Sequence, residues 1–273
     1  IKNSTWAYSH ELGRNDIQEK FHHRVETRCW QGCCTDEKLQ EGIKEAVLWG
    51  AKVIFTTAPF MAQESVKAAL EYPELYILNC SVKTSYNSIR TYYGRMYEAK
   101  FLMGALAASI TDGNDLGYVE QFPLYGTVSN INAFAIGAQF INPWAKVHLS
   151  WSGLINANWK EEFRRKDIHT ISGPEFSKPF ERSREFGLYI SSNGEVGFNV
   201  AAAVYNWGKY YEIIIRSILE GNYDANSLAK THSALNYYYG LKEGVIDVIL
   251  SGNLSYSSKK LMSILEKEIE EGR

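Results

Sequence analysis

The chain has 273 residues, enough for one large domain or two smaller lobes with buried cores. Its 29 Lys and Arg residues nearly balance its 31 Asp and Glu residues, so its charge gives no general attraction for nucleic acid or an anionic membrane. The 45% hydrophobic and 22% charged fractions are those of a globular protein and exclude a disordered chain.

The first part of the chain alternates between helical and strand patterns. Helical spacing predicts helices at "AYSHELGRNDIQEKF", "DEKLQEGIKEAVLWG" and "MAQESVKAALEY", and the second of these opens with acidic residues and closes on Gly50. Short apolar or alternating runs predict strands at "RVETRCW", "KVIFTT" and "LYILNC". Strands that alternate with helices in this way pair in parallel through right-handed crossovers.

A second alternation follows the long apolar stretch "YYGRMYEAKFLMGALAASI", which predicts a helix packed on several sides. Strands are predicted at "LGYV", "KVHLSW", "DIHTIS", "GLYIS" and "GVIDVIL". Helices are predicted at "TVSNINAFAIGAQFI", "WKEEFRRK", "KPFERSREF" and "VYNWGKYYEIIIRSILEGN". Two successive units of this kind predict an α/β protein with two Rossmann-like lobes and a ligand cleft between them, at the carboxyl ends of the strands.

Sequence signatures of catalysis are missing. The chain contains no GxGxxG, no GxxxxGK followed by Ser or Thr, no GxSxG and no HExxH, and no nucleophile stands beside a base. Glu98 lies in the apolar helix three residues after Arg95, which predicts a structural ion pair. His10 could form a hydrogen bond near the cleft or simply open a helix. The chain is predicted not to be an enzyme and to have no catalytic residues and no cofactor.

The cysteines do not form a metal-binding pattern. Cys29, Cys33 and Cys34 lie close together, but no nearby histidine or second CxxC completes a zinc site, so we interpret them as free thiols. No apolar run is long enough to span a membrane, and the first residue, Ile1, is not a methionine. We interpret the chain as a piece of a longer protein, whose export its sequence does not decide.

Large aromatic residues recur where predicted strands give way to helices. Each of them taken singly is more often a core residue than a ligand contact, but such junctions converge on one crevice in an α/β fold, and a flat heteroaromatic ligand would stack between aromatic rings there. The junction residues are Trp6, Tyr8, Phe60, Phe122, Trp151 and Trp207.

The chain resembles the basic membrane protein family of solute-binding proteins, the extracytoplasmic components of ABC importers. The resemblance rests on "STWAYSHELGR", "KVIFTTAPF", "YPELYILNC", "YYGRMYEAKFLMGALAASIT", "LGYVEQFPLYGTVSNINAFAIGAQFINPWAKVHLSW" and "NWGKYYEIIIRSILEGNYD", in the family's order. It implies a type I periplasmic binding protein fold that closes over a small ligand, often a purine nucleoside or nucleobase. The implied lobes are residues 1–112 plus about 198–227, and 113–197 plus about 228–273.

The resemblance also implies binding residues and partners. Trp6 and Phe60 would line the cleft from the first lobe, and Tyr92 lies in the turn before the long helix. Where many members carry an acid after the strand "GLYIS", this chain has "SNGEV", so Asn193 or Glu195 would replace it. The implied partners are a small-molecule ligand and an ABC permease, and not nucleic acid. The remaining implied ligand-binding residues are Phe122, Trp151 and Trp207.

The implied transport protein is a monomer anchored outside the cytoplasm as a lipoprotein. The alternative is a cytoplasmic, ligand-sensing regulatory module of a larger protein with the same fold. An enzyme acting on nucleosides is disfavoured, because bond cleavage needs a positioned acid or base.

Overall fold

The structure, a computed structural model, describes residues 4–82, 89–123, 126–175, 183–192, 195–223 and 236–273. It divides into two units. Trp6–Gly94 and Asn206–Tyr239 make up nearly all of the first unit, and Arg95–Tyr205 and Gly240–Arg273 nearly all of the second. The lobe boundaries given above stay a prediction.

The first unit contains a four-stranded parallel sheet in the order β1-β2-β3-β9. Its core packs apolar residues of the second and third helices against the sheet. This confirms the strands predicted at "KVIFTT" and "LYILNC" and the helix between them. The start of the predicted long helix is instead strand, so Tyr92 lies in that strand and not in a turn. The helices are α1 (Thr5–Phe21), α2 (Asp36–Trp49), α3 (Ala62–Glu71) and α7 (Trp207–Leu219), and the strands are β1 (Val53–Thr56), β2 (Tyr76–Cys80), β3 (Arg90–Gly94) and β9 (Asn236–Tyr239).

One predicted strand of the first unit is wrong. The segment "RVETRCW" pairs with no strand among the described residues and is irregular. Instead the backbone N–H and the hydroxyl of Thr27 both donate to Oε1 of Gln18 on α1. The alternating pattern therefore marks an extended segment held by a helix rather than by a sheet.

The second unit contains a six-stranded sheet in the order β10-β8-β7-β6-β4-β5. Apolar residues cover both of its faces, because Tyr118 faces the main core with α4 and α5, whereas Val119 faces a smaller core with α6. The helices are α4 (Met96–Ile110), α5 (Thr127–Ile141), α6 (Trp159–Arg165) and α8 (Tyr256–Glu270), and the strands are β4 (Asp115–Glu120), β5 (Lys146–Trp151), β6 (Thr170–Ser172), β7 (Leu188–Ser192), β8 (Glu195–Tyr205) and β10 (Ile246–Leu250).

The second sheet is mixed rather than parallel throughout. Strand β4 pairs in parallel with β5 and β6, but β6, β7, β8 and β10 pair antiparallel. The helix predicted at "KPFERSREF" lies largely outside the described residues, and its described part, 183–186, is not helical. Within the described part of the chain, no helix is long and apolar enough to cross a membrane.

The two long helices α4 and α5 pack through a reciprocal pair of glycines. A Cβ atom on Gly104 would lie 2.0 Å from the carbonyl oxygen of Phe134, and one on Gly137 would lie 2.0 Å from that of Phe101. Both obstacles are backbone atoms, which cannot rotate away. Because neither glycine has a side chain, the two helices can approach each other this closely.

Replacing either glycine should destabilise the second unit. We expect Gly104→Ala or Gly137→Ala to lower the free energy of unfolding by at least about 2 kcal/mol, because the methyl group forces the helices apart. Urea unfolding followed by circular dichroism measures the change. Gly113→Ala is the matched control, because a Cβ there meets nothing within 4 Å. Equal stability of the core and control variants would contradict this packing.

Candidate functional site

Trp6 is fixed at the carboxyl end of strand β1. Its indole N–H donates a hydrogen bond to the carbonyl oxygen of Thr57, 2.6 Å away. The ring stacks on Tyr93 with centroids 6.0 Å apart and meets Trp207 edge-on at 5.3 Å. Trp6 is half-buried, so part of its ring remains accessible from solvent.

Behind Trp6 lies a buried aromatic cluster. Trp207 is 1% exposed, and its indole N–H donates to the hydroxyl of Ser9 at 3.0 Å. The His10 ring stacks on Trp207 with centroids 4.2 Å apart and an angle of 15° between the planes. Nδ1 of His10 shares a hydrogen bond with the hydroxyl of Tyr211 at 2.6 Å. This cluster holds the start of α1 against the start of α7.

The buried groups of this cluster are uncharged. Burial lowers the pKa of His10 from 6.5 to about 3, and its Nε2 has no hydrogen-bond partner among the described residues. Tyr92 is fully buried, and burial raises the pKa of its hydroxyl well above the usual value. Its hydroxyl donates to the carbonyl oxygen of Thr56 at 3.4 Å. Histidine at position 10 is thus a buried neutral ring rather than a simple helix-start residue.

The structure brings together three of the residues predicted from the sequence in the first unit. Trp6, Tyr92 and Trp207 belong to one aromatic cluster. Phe60 lies apart, in the short helical turn Pro59–Met61 after β1, and is 58% exposed. Only Trp6 and Phe60 of these four residues offer substantial surface to a ligand.

In the second unit, Phe122 and Trp151 occupy neighbouring strand ends. Trp151 ends β5 and pairs in register with Glu120, which ends β4. Phe122 follows two residues later and is 41% exposed. Its ring fills the space beside Gly153, where a Cβ atom would lie 2.4 Å from the ring. The predicted residue Asn193 lies outside the described residues, and the alternative Glu195 opens β8 and is exposed.

Sequence reasoning missed a group of buried polar residues around Tyr118, which lies two residues before the strand position that pairs with Trp151. Lys100, Tyr118 and Ser172 are each fully buried. The sequence does contain a signal for Lys100, because a lysine inside a helix that is apolar on all sides has to be buried with its charge. On the same helix, the predicted ion pair between Glu98 and Arg95 is confirmed, with 2.5 Å between Oε1 and Nε. Glu98 also accepts a hydrogen bond from the N–H of Leu241 at 2.9 Å.

Metal chemistry has no visible basis in the described ranges. They contain no group of three or more His, Cys, Asp or Glu side chains placed to hold a metal ion. Cys29, Cys33, Cys34 and Cys80 are free thiols. What the strand ends offer instead is aromatic surface beside buried hydrogen-bonding groups, an arrangement suited to holding a small polar molecule.

Comparison with known proteins identifies the family. Residues 1–162, more than half of the chain, match the model of the Bmp family, described as ABC transporter substrate-binding protein PnrA-like. The chain belongs to this family. A purine-binding protein of Brucella abortus is 26% identical over 282 residues, which cover 98% of this chain and 77% of that protein.

Solved structures share the fold of this PnrA-like protein. A transcriptional activator of the comK gene from Bacillus halodurans superposes with a TM-score of 0.76 at 15% identity, covering 98% of this chain and 95% of that one. An ABC transporter solute-binding protein from Conexibacter woesei superposes with a TM-score of 0.70 at 11% identity, covering 99% of this chain and 93% of that one. At these identities the likeness shows the fold alone.

The family membership confirms the main sequence predictions. The chain is an ABC transporter solute-binding protein with the two-lobed α/β fold of type I periplasmic solute-binding proteins. Its family binds solutes without transforming them, so the protein is not an enzyme.

The buried neutral His10 should make stability depend on pH. The unfolded chain binds a proton at His10 below pH 6.5, whereas the folded chain does so only near pH 3. Stability is therefore lost as the pH falls below 6.5. At pH 5 the loss should be about 2 kcal/mol relative to pH 7.5.

The His10→Gln variant should lose this part of the pH dependence, as measured by urea unfolding at pH 7.5 and pH 5. His23→Gln, which changes an exposed histidine of the same unit, should keep it. The same pH dependence in the His10 variant as in the unchanged protein would show that His10 does not titrate in this way.

Proposed function

We propose that this solute-binding protein binds a small heteroaromatic solute, a purine nucleoside or nucleobase. The observation that carries the proposal is the placement of Trp151 and Phe122 at adjacent strand ends, beside buried hydrogen-bonding groups. Aromatic side chains give a planar ring a surface on which to stack, and the polar groups give its edge hydrogen-bond partners. The relative from Brucella abortus, named for purine binding, supports the same class of solute.

All seven residues predicted from the sequence belong to this proposal, in two roles. Trp6, Phe60, Phe122 and Trp151 have exposed surface and would contact the solute directly. Tyr92 and Trp207 are fully buried and would act by holding Trp6 in position. Asn193, which lies outside the described residues, would contribute a polar contact.

The proposed role is delivery of the solute to an ABC permease. We propose a monomer held outside the cytoplasm by a lipid anchor, as the family resemblance implies. Metabolic labelling of the natural gene product with palmitate, followed by cell fractionation, tests this location. Label in a membrane fraction supports the transport role, and an unlabelled product confined to the cytoplasm contradicts it.

A second candidate function is ligand sensing in a regulatory protein. It is favoured by the likeness to the transcriptional activator from Bacillus halodurans, which extends over nearly all of both chains. If the protein has this function, we expect the natural gene product to be cytoplasmic and to change the expression of other genes when its solute is present. The palmitate experiment separates the two candidates.

A thermal-shift screen tests the purine proposal. The panel contains purine and pyrimidine nucleosides, their bases, flavins and simple sugars. At a concentration of about 100 times its Kd, a ligand stabilises the folded protein by about 2.7 kcal/mol, so a purine should raise the Tm by several degrees. A panel in which no purine raises the Tm would contradict the proposal.

The Trp151→Ala variant should bind the same purine at least about tenfold more weakly, because a ring stacked on an aromatic side chain contributes about 1–3 kcal/mol. Isothermal titration calorimetry measures the change in Kd. Trp144→Ala is the matched control, since Trp144 is 74% exposed beyond the end of α5 in the same unit. Equal Kd values for the two variants would remove Trp151 from the site.

A further inference from the structure

A buried lysine stands at the centre of the second unit. Lys100 lies on α4 and is 0% exposed. Its Nζ atom is 3.2 Å from Oε1 of Glu175 and 5.3 Å from the centre of the Tyr118 ring. Although the ion pair is close, Nζ makes no well-aligned hydrogen bond within the described part of the chain. An ammonium group without hydrogen bonds is costly to bury, so a further partner would stabilise it.

Two more buried polar atoms lack partners at the same place. The hydroxyl groups of Tyr118 and Ser172 accept or donate no hydrogen bond within the described ranges. Tyr118 on β4 pairs in register with Ser172 on β6, so their side chains project from the same face of the sheet. Lys100 covers the Tyr118 ring from α4. Three buried polar groups that lack a hydrogen bond, one of them the ion-paired ammonium of Lys100, thus lie near the carboxyl ends of two adjacent strands.

The aromatic surface of Trp151 adjoins this group. Glu120 lies two residues after Tyr118 on β4, so the two side chains share a face. Trp151 pairs in register with Glu120 and extends that face onto β5. The Glu175 side chain is 22% exposed, so the group is open to solvent on its acidic side. A solute resting against Trp151 would meet Glu120 first and Lys100 behind it.

The charges of the group favour an uncharged solute. Burial alone would lower the pKa of Lys100, but attraction to Glu175, to the adjacent tyrosine and to Glu120 outweighs burial and raises it. Burial, and then repulsion from Glu175, raises the pKa of Glu120. One cation therefore faces two carboxyl groups. A phosphate or carboxylate would meet net repulsion here, whereas a neutral polar group would meet both donors and acceptors.

We propose that Lys100, Glu120 and Glu175 form a polar recognition subsite for a neutral solute edge that carries a hydrogen-bond donor beside an acceptor. Lys100 donates to the acceptor of the solute, and the carboxylates accept from its donor. Tyr118 and Ser172 supply the remaining hydroxyl groups. The subsite deepens the proposed function, since it rests on a solute lying against Trp151.

Two parts of a purine nucleoside carry such an edge. The amide edge of a 6-oxopurine places an N–H beside a carbonyl oxygen, and the ribose diol places two hydroxyl groups side by side. Inosine carries both. Purine riboside lacks the carbonyl oxygen, and 2′,3′-dideoxyinosine lacks the diol, so these two analogues show which edge occupies the subsite.

The test removes both charges of the ion pair between Lys100 and Glu175 at once. In the Lys100→Met, Glu175→Gln double variant the buried ammonium and its partner become neutral groups of similar size, a change that leaves folding largely intact. Calorimetric titration with inosine should show at least about 100-fold weaker binding than in the unchanged protein. The variant should still melt cooperatively, as checked by circular dichroism. Lys160→Met, which removes an exposed charge of the same unit, should bind inosine normally.

Titration with the two analogues then measures how strongly the protein discriminates between them and inosine. This discrimination would not change if Lys100 and Glu175 had only a structural role. The unchanged protein should discriminate at least about tenfold against one analogue, and a folded double variant should lose that discrimination. A folded double variant with full affinity and full discrimination would overturn the subsite.

The same titrations with hypoxanthine and glucose separate this subsite from the purine proposal. If glucose binds in place of inosine and its affinity falls at least about 100-fold in the folded double variant, the subsite stands and the purine proposal fails. If inosine binds equally to both proteins, the purine proposal stands and the subsite fails. If none of these uncharged probes binds the unchanged protein, both fail.

Discussion

The second unit is organised around the buried ammonium group of Lys100. A charge without solvent needs carboxylates close by, and these come from the end of β4 and from the segment after β6. Helix α4, which carries Lys100, in turn packs closely on α5, where Gly104 lies against the backbone of Phe134 and Gly137 against that of Phe101. The position of α4 therefore determines where the ammonium group of Lys100 meets the carboxylates at the strand ends. Trp151 lies at one of these strand ends, near polar groups that lack hydrogen-bond partners.

The two units solve the problem of burying polar groups in different ways. In the first unit, His10, Tyr92 and Trp207 are all neutral and lie within one network of rings and hydrogen bonds. In the second unit, the buried group includes the charged Lys100, and Lys100, Tyr118 and Ser172 lack hydrogen bonds, as Nε2 of His10 does in the first unit. The first arrangement gives a rigid aromatic surface at Trp6. The second gives a place where a solute can complete the hydrogen bonding.

Much of the fold could be predicted from the sequence, because β1, β2, α2 and α5 carry clear apolar patterns, α4 is a long apolar stretch, and these elements end at clear breakers. Strand direction in the second sheet could not, since β7 and β8 show the same kind of pattern whether they pair parallel or antiparallel. The place of Trp151 at a strand end could be predicted because β5 has a clear alternating pattern. Lys100 was missed because its meaning depends on Glu175, which is far away in the sequence and close only in the folded chain.

The most direct test of the account is a crystal structure of the protein grown with a saturating purine nucleoside. The account predicts a purine ring stacked on Trp151 or Phe122, with a neutral polar edge at a hydrogen-bonding distance of about 2.7–3.2 Å from Nζ of Lys100. A nucleoside bound away from these residues, or a structure in which Lys100 keeps only Glu175 as its partner, would contradict it.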